Sequence, residues 1–179
     1  MAFVVAALVL VGALSVVNLL FSFGVIRRLR EHTALLDRRV DGMSPFEATR
    51  PVGETVDDFA ASTVDGEPIS RDLLTGTTLV GFFSPSCAPC RERLPTFVEQ
   101  ARDHEPVLAV VVAPEGDEGA PAVVDELRPV ARVVREAPDG PLATAFGVHG
   151  FPAFALIGSD GEVIASGIEL TALRVPAAA

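Results

Sequence analysis

The chain has 179 residues, 49% of them hydrophobic, with two cysteines and no tryptophan, tyrosine or lysine; that leaves room for one ordinary domain and an appendage. Its net charge of −10 is unevenly spread: residues 1–40 hold five arginines against Glu31 and Asp37, while residues 41–179 hold nine against 22 acidic groups. An acidic domain without a basic stripe excludes nucleic-acid binding built on phosphate neutralisation.

Residues 2–26, AFVVAALVLVGALSVVNLLFSFGVI, contain no charged side chain. As a helix they would rise roughly 37 Å, enough to cross a hydrocarbon core of about 30 Å with some tilt. The stretch lacks the basic start, short apolar core and small-residue cleavage site of a signal peptide. Residues 1–26 therefore read as an uncleaved transmembrane anchor. Residues 27–50 read as a juxtamembrane linker: RRLREHTALLDRRV has helical spacing and arginines suited to anionic headgroups. DGMSPFEATRPVG then breaks the pattern with Gly42, Pro45, Pro51 and Gly53. Arg27, Arg28, Arg30, Arg38 and Arg39 follow the span, so the positive-inside rule puts the rest of the chain in the cytoplasm.

Residues 51–179 read as one α/β domain. DFAASTVDGEPIS (58–70) is expected to form two short strands around Asp65-Gly66, the favoured type I′ hairpin dipeptide, and RDLL a helical turn. TTLVGFF (77–83) and PVLAVVVAP (106–114) lack polar alternation, as buried central strands do. Between them, residues 88–104 read as a helix kinked at Pro95. A short helix, a strand over 130–137 and a helical turn at GPLATAFGV follow. Residues 152–170 form a strand, an Asp160-Gly161 turn and another strand, expected to add antiparallel edge strands. Buried strands separated by helices imply a central mixed sheet covered on both faces.

Both cysteines lie in FFSPSCAPCRERLP, residues 82–95. Cys87 falls where a buried strand gives way to a helix, at or just before the helix N-terminus, where unpaired N–H groups and the helix dipole favour a negative charge. Cys90 is one turn later and can resolve a mixed disulfide. Pro89 suits the first helical turn. A structural zinc site needs about four ligands, and His32, His104 and His149 are scattered singly. A static disulfide closing so short a loop would add little stability. A redox-active Cys87–Cys90 pair, with no metal and no other cofactor, accounts for the spacing best.

From about Pro51 to Gly167 the chain resembles the thioredoxin fold in its membrane-anchored, TlpA-type disulfide-reductase branch, close to the redoxin (AhpC/TSA-like) group and most similar to the methylamine-utilisation accessory thioredoxins. The resemblance rests on PVGETVDDFAASTVDGEPIS, TTLVGFFSPSCAPC, Pro95 five residues after Cys90, and GVHGFPAFALIGSDGEVIASG. It implies an N-terminal β-hairpin extension and a cis-proline at Pro152, preceded by Phe151, that packs against the cysteines and docks extended substrate segments. Three positions depart from the pattern. Ser86 stands where thioredoxins carry Trp. Gly81 stands where they carry a buried Asp. Arg93 stands where many TlpA-type proteins carry Glu, and the adjacent Glu92 faces elsewhere on the helix.

The reading is a membrane-tethered thiol–disulfide oxidoreductase. It would act on protein thiols and disulfides and be served by a membrane or soluble electron-donor protein. Two alternatives stand beside it. One is a redoxin-type thiol peroxidase, suggested by Ser84 three residues before Cys87. The other is a tethered chaperone or metal carrier. Arg91 and Arg93 read either as a solvated face or as a field on Cys87, and His149 as a loop residue near the active surface. Cytosolic thiols are already kept reduced by soluble systems, which favours an extracytoplasmic redox domain on a single-pass membrane protein, against the positive-inside rule.

Overall fold

The computed structural model describes residues 48–173 together with Phe3, Val4 and Gly12, which are helical. The remainder of the anchor expected over 1–26, the linker up to residue 47 and residues 174–179 lie outside the described residues. Among those described, no helix is long and apolar enough to cross a membrane.

The domain runs β1 (Ala60–Ser62), β2 (Pro68–Ser70), a 3-10 turn (Arg71–Leu73), β3 (Thr78–Phe83), α1 (Ala88–Ala101), β4 (Val107–Val112), α2 (Ala120–Leu127), β5 (Arg132–Glu136), α3 (Pro141–Ala145), β6 (Ala153–Ile157), β7 (Val163–Gly167) and a second 3-10 turn (Leu170–Ala172). β1 and β2 form a hairpin, and the other strands form one sheet in the order β5-β4-β3-β6-β7. β3, β4 and β5 are parallel, and β6 and β7 antiparallel to their neighbours. β3, β4 and β6 are buried at every position, which is why their sequences lack alternation. β6 lies inside the sheet beside β3, so β7 alone of the final hairpin is an edge strand.

Successive side chains of the strands feed two apolar layers. Val80, Phe82, Val110 and Ala155 pack under α3 and the hairpin, with Phe146, Phe59 and Ile69. Leu79, Phe83, Val111 and Phe154 pack under α1 and α2, with Leu94, Phe97 and Leu127. In the second layer the Phe83 ring meets Phe97 at 5.0 Å and Phe154 at 5.7 Å, centroid to centroid. Each such pair adds about 0.5–1.5 kcal/mol beyond its area burial.

Both hairpin turns differ from the expected two-residue type. Gly66 N–H donates to Thr63 O and Thr63 N–H to Glu67 O; Gly161 N–H donates to Gly158 O and Gly158 N–H to Glu162 O. In each turn only the glycine has positive φ, whereas a type I′ turn needs two such residues. These are three-residue loops closed by a glycine bulge. α1 ends at Ala101 rather than 104, because Glu105 precedes Pro106 and that position disfavours helix.

Two further features complete the sheet, one along β7 and one at the end of β5. Residues 53–56 run along the free edge of β7: Gly53 N–H bonds Val163 O, Val163 N–H bonds Glu54 O, and Val56 N–H bonds Gly161 O. An exposed edge is thereby covered. Glu136, buried at the end of β5, accepts hydrogen bonds from Leu142 N–H (3.0 Å) and Ala143 N–H (2.8 Å), satisfying the start of α3. Burial raises its carboxyl pKa, more than the two N–H partners lower it.

Candidate functional site

β3 delivers the chain to the surface at Ser84, and the turn Ser84–Cys87 is closed by Cys87 N–H bonding Ser84 O at 3.1 Å. Cys87 is the N-cap of α1, with extended backbone (φ −85°, ψ 114°), and Pro89 occupies the first turn. Its proline ring removes an N–H that would have lacked a partner there. Helical geometry brings Cys90 N–H back to Cys87 Sγ at 3.2 Å. On its other side the Cys87 thiol donates to Phe151 O at 3.3 Å.

Phe151 is joined to Pro152 by a cis peptide bond. Pro152 is buried and Phe151 half-buried, the ring packing against both apolar layers. The structure thus brings Cys87 and Cys90, at the start of α1, together with Phe151 and Pro152 in the loop before β6. A second cis proline, Pro106, lies at the start of β4, away from them. Both cysteines are free thiols. Cys87 is half-buried; Cys90 is only 3% exposed. Burial, then the hydrogen bond and charge of Cys87, push the Cys90 thiol up to about 12, against smaller opposing effects of the Ser84 backbone and Arg93. No carboxylate is among the groups that act on it.

One of the positions that depart from the thioredoxin pattern, Gly81, has a packing explanation. A Cβ at Gly81 would lie 2.6 Å from Phe97 Cε2 and 2.9 Å from Phe83 Cε2. Phe97, fully buried on α1, fills the space that a side chain at 81 would need. Arg93 is half-buried and pairs with Glu169 at 3.3 Å. Glu169 follows β7, 76 residues along the chain; nothing in its local sequence marks it as a partner. Glu92 is exposed, as its helical phase implied.

The remaining candidates sit at the margin. Ser86 is exposed, and its hydroxyl meets that of Ser84 at 3.2 Å, so Ser84 turns toward Ser86 rather than toward Cys87. Arg91 donates to Pro85 O at 3.2 Å. Pro95 is exposed within α1, which continues through it. His149 is exposed, and its backbone N–H reaches Ala48 O at 3.5 Å. A cleft of about 710 Å³ opens at the far end of the sheet, lined by Arg102, His104, Arg128 and Arg132 among others. At the other end, Cys87 is half-buried among exposed neighbours, Ser86, Ala88, Pro89, His149 and Gly150, with Cys90 buried beneath.

No family model matches the chain. It is 30% identical over 87 residues to the thiol:disulfide interchange protein CycY of Rhizobium leguminosarum bv. viciae, a match covering 49% of this chain and 47% of that protein. The chain therefore spans about half the length of this curated relative. Among solved structures, the thioredoxin domain of a thiol-disulfide oxidoreductase from Bacteroides vulgatus superposes with a TM-score of 0.55 at 18% identity, over 66% of this chain and 89% of that one. A secreted Mycobacterium tuberculosis disulfide oxidoreductase homologous to E. coli DsbE gives a TM-score of 0.50 at 23% identity, over 65% and 87%. The fold is thioredoxin-like.

Proposed function

We propose that the chain is a membrane-tethered thiol–disulfide oxidoreductase acting on polypeptides through Cys87 and Cys90. The observation that carries the reading is the seat of Cys87 Sγ, at a helix N-cap, between the Cys90 N–H and the carbonyl of Phe151 beside Pro152. The name of the Rhizobium relative supports it.

In the reductive direction the Cys87 thiolate attacks one sulfur of a substrate disulfide. The S–S bond breaks, the second substrate sulfur leaves as a thiolate and takes a proton, and a Cys87–substrate mixed disulfide forms. Cys90 then loses its proton and attacks Cys87 Sγ. The mixed disulfide breaks, the first substrate sulfur leaves, and the Cys87–Cys90 disulfide remains. Two electrons and two protons have passed to the substrate. The same steps in reverse oxidise a dithiol client. Cys90 is buried with no carboxylate acting on it, so its proton passes to water or to the departing substrate thiolate. An electron-donor protein must re-reduce the pair.

The open surface around Cys87 suits an extended polypeptide better than a small molecule, which is held in an enclosed pocket. Residues 2–26 supply the tether. The redox domain is placed on the extracytoplasmic side, where exchange is not pre-empted by soluble reductants. Labelling of Cys87 by a membrane-impermeant maleimide in intact cells is expected; labelling only after lysis would place the domain inside. The activity is tested by insulin reduction with the full chain in detergent. Wild type is expected to be active and Cys87→Ser to fall to background; full activity in Cys87→Ser would sink the proposal.

A further inference from the structure

Thr49 is a fully buried polar residue far from the cysteines in sequence, and the mechanism above does not use it. Its neighbours explain the burial. Ser166 Oγ on β7 accepts from Ala48 N–H (3.2 Å) and Thr49 N–H (3.1 Å), and lies 2.8 Å from Thr49 Oγ1. Arg50 then turns to the end of α3. Its backbone N–H donates to Phe146 O and its Nε–H to Ala145 O, both at 2.8 Å. Its guanidinium is held by Asp57 and, at 3.9 Å, by Glu54.

α3 ends in a left-handed glycine, Gly147 (φ 61°), with Gly147 N–H bonding Thr144 O and Val148 N–H bonding Ala143 O. That is a Schellman closure. A Cβ at Gly147 would lie 3.2 Å from Arg50 Cγ, so the arginine stem rests on this turn. One residue past Val148, His149 N–H reaches Ala48 O. Two residues further stand Phe151 and Pro152. Ser166 is in turn the register partner of Ala155 on β6, three residues after Pro152. The contacts close a ring from β6 to Ser166, to residues 48–50, to the end of α3, and through Phe151-Pro152 back to β6.

We propose that residues 48–50 form a strap, anchored on the Ser166 hydroxyl, that positions the Phe151-Pro152 loop for substrate. The strap is a positioning element and touches no reacting atom. Its effect on substrate affinity rests on the oxidoreductase reading; its effect on the loop does not.

The test uses the full chain in detergent with Ser166→Ala, which removes the anchor, and Ser166→Thr, which keeps a hydroxyl. Hydrogen exchange is read at the amides of His149–Phe151 and, as a control, along α1. Removing a hydrogen-bonded anchor of this kind is expected to speed exchange in the loop about tenfold, leave α1 unchanged, and be rescued in Ser166→Thr. The KM for insulin should rise in Ser166→Ala and return toward wild type in Ser166→Thr, with kcat unchanged. Should Ser166→Ala not fold, Thr49→Val carries the same measurement. Unchanged loop exchange in these variants would overturn the strap, as would equal acceleration in α1. A wild-type chain that reduces no insulin would overturn the functional reading instead, while loop exchange still decides the strap.

Discussion

Cys87 and Cys90 are three residues apart, yet the fold gives them different surroundings. Cys87 is half-exposed at a helix N-cap with a backbone donor and a backbone acceptor on its sulfur. Cys90 is buried one turn later, and its thiol is pushed from 9.0 up to about 12, chiefly by burial. A group whose folded pKa is raised holds its proton more tightly when folded. The stability it contributes is fully present below pH 9 and is lost as pH rises through about 12. The chain has neither lysine nor tyrosine, so no other side-chain type has an ordinary pKa in that window. Urea midpoints of the reduced protein between pH 8 and 11 are expected to fall more steeply in wild type than in Cys90→Ala; parallel slopes would contradict the assigned burial.

At the scale of elements, the packing of α1 on β3 decides what can stand beside the cysteines. Gly81 pairs in register with Ala109 on β4 and Phe154 on β6, and Phe97 of α1 lies directly over it. Gly81→Ala is expected to destabilise the domain by about 1–3 kcal/mol through overpacking, read as a lower urea midpoint. Phe97→Leu added to Gly81→Ala should recover part of the loss. A neutral Gly81→Ala would show that the ring yields freely.

The same elements show what the sequence carries. The runs at 77–83 and 106–114 are visible as strands because burial on both faces removes polar residues from them. The strand-to-helix change at Cys87 is visible because it coincides with Pro85 and Pro89. Phe97 over Gly81 is not visible, since a glycine in a strand does not name the side chain that takes its room. The Arg93–Glu169 pair and the Thr49–Ser166 contact join residues 76 and 117 apart by single polar groups, and no periodicity marks them. The position of β6 inside the sheet is equally hidden, because a hairpin pattern reads the same at an edge as beside a central strand.

For the whole domain, Cys87 reaches the surface at one end of the sheet, with Cys90 buried behind it, and a cleft opens at the other end. Segments 48–50 and 53–56, the first described stretches of the domain, both run beside β7, and 48–50 also meets His149 in the loop that carries Phe151-Pro152. In the proposed account, segment 48–50 is thus part of the architecture that orients the site. That account stands or falls on a covalent intermediate at Cys87. The most direct measurement mixes Cys90→Ser with a disulfide-bonded unfolded polypeptide and looks by mass spectrometry for an adduct. The account predicts a reductant-sensitive mixed disulfide on the peptide containing Cys87, which persists because Cys90 is no longer there to release it, and none with Cys87→Ser. No adduct with Cys90→Ser, or the same adduct with Cys87→Ser, would contradict it.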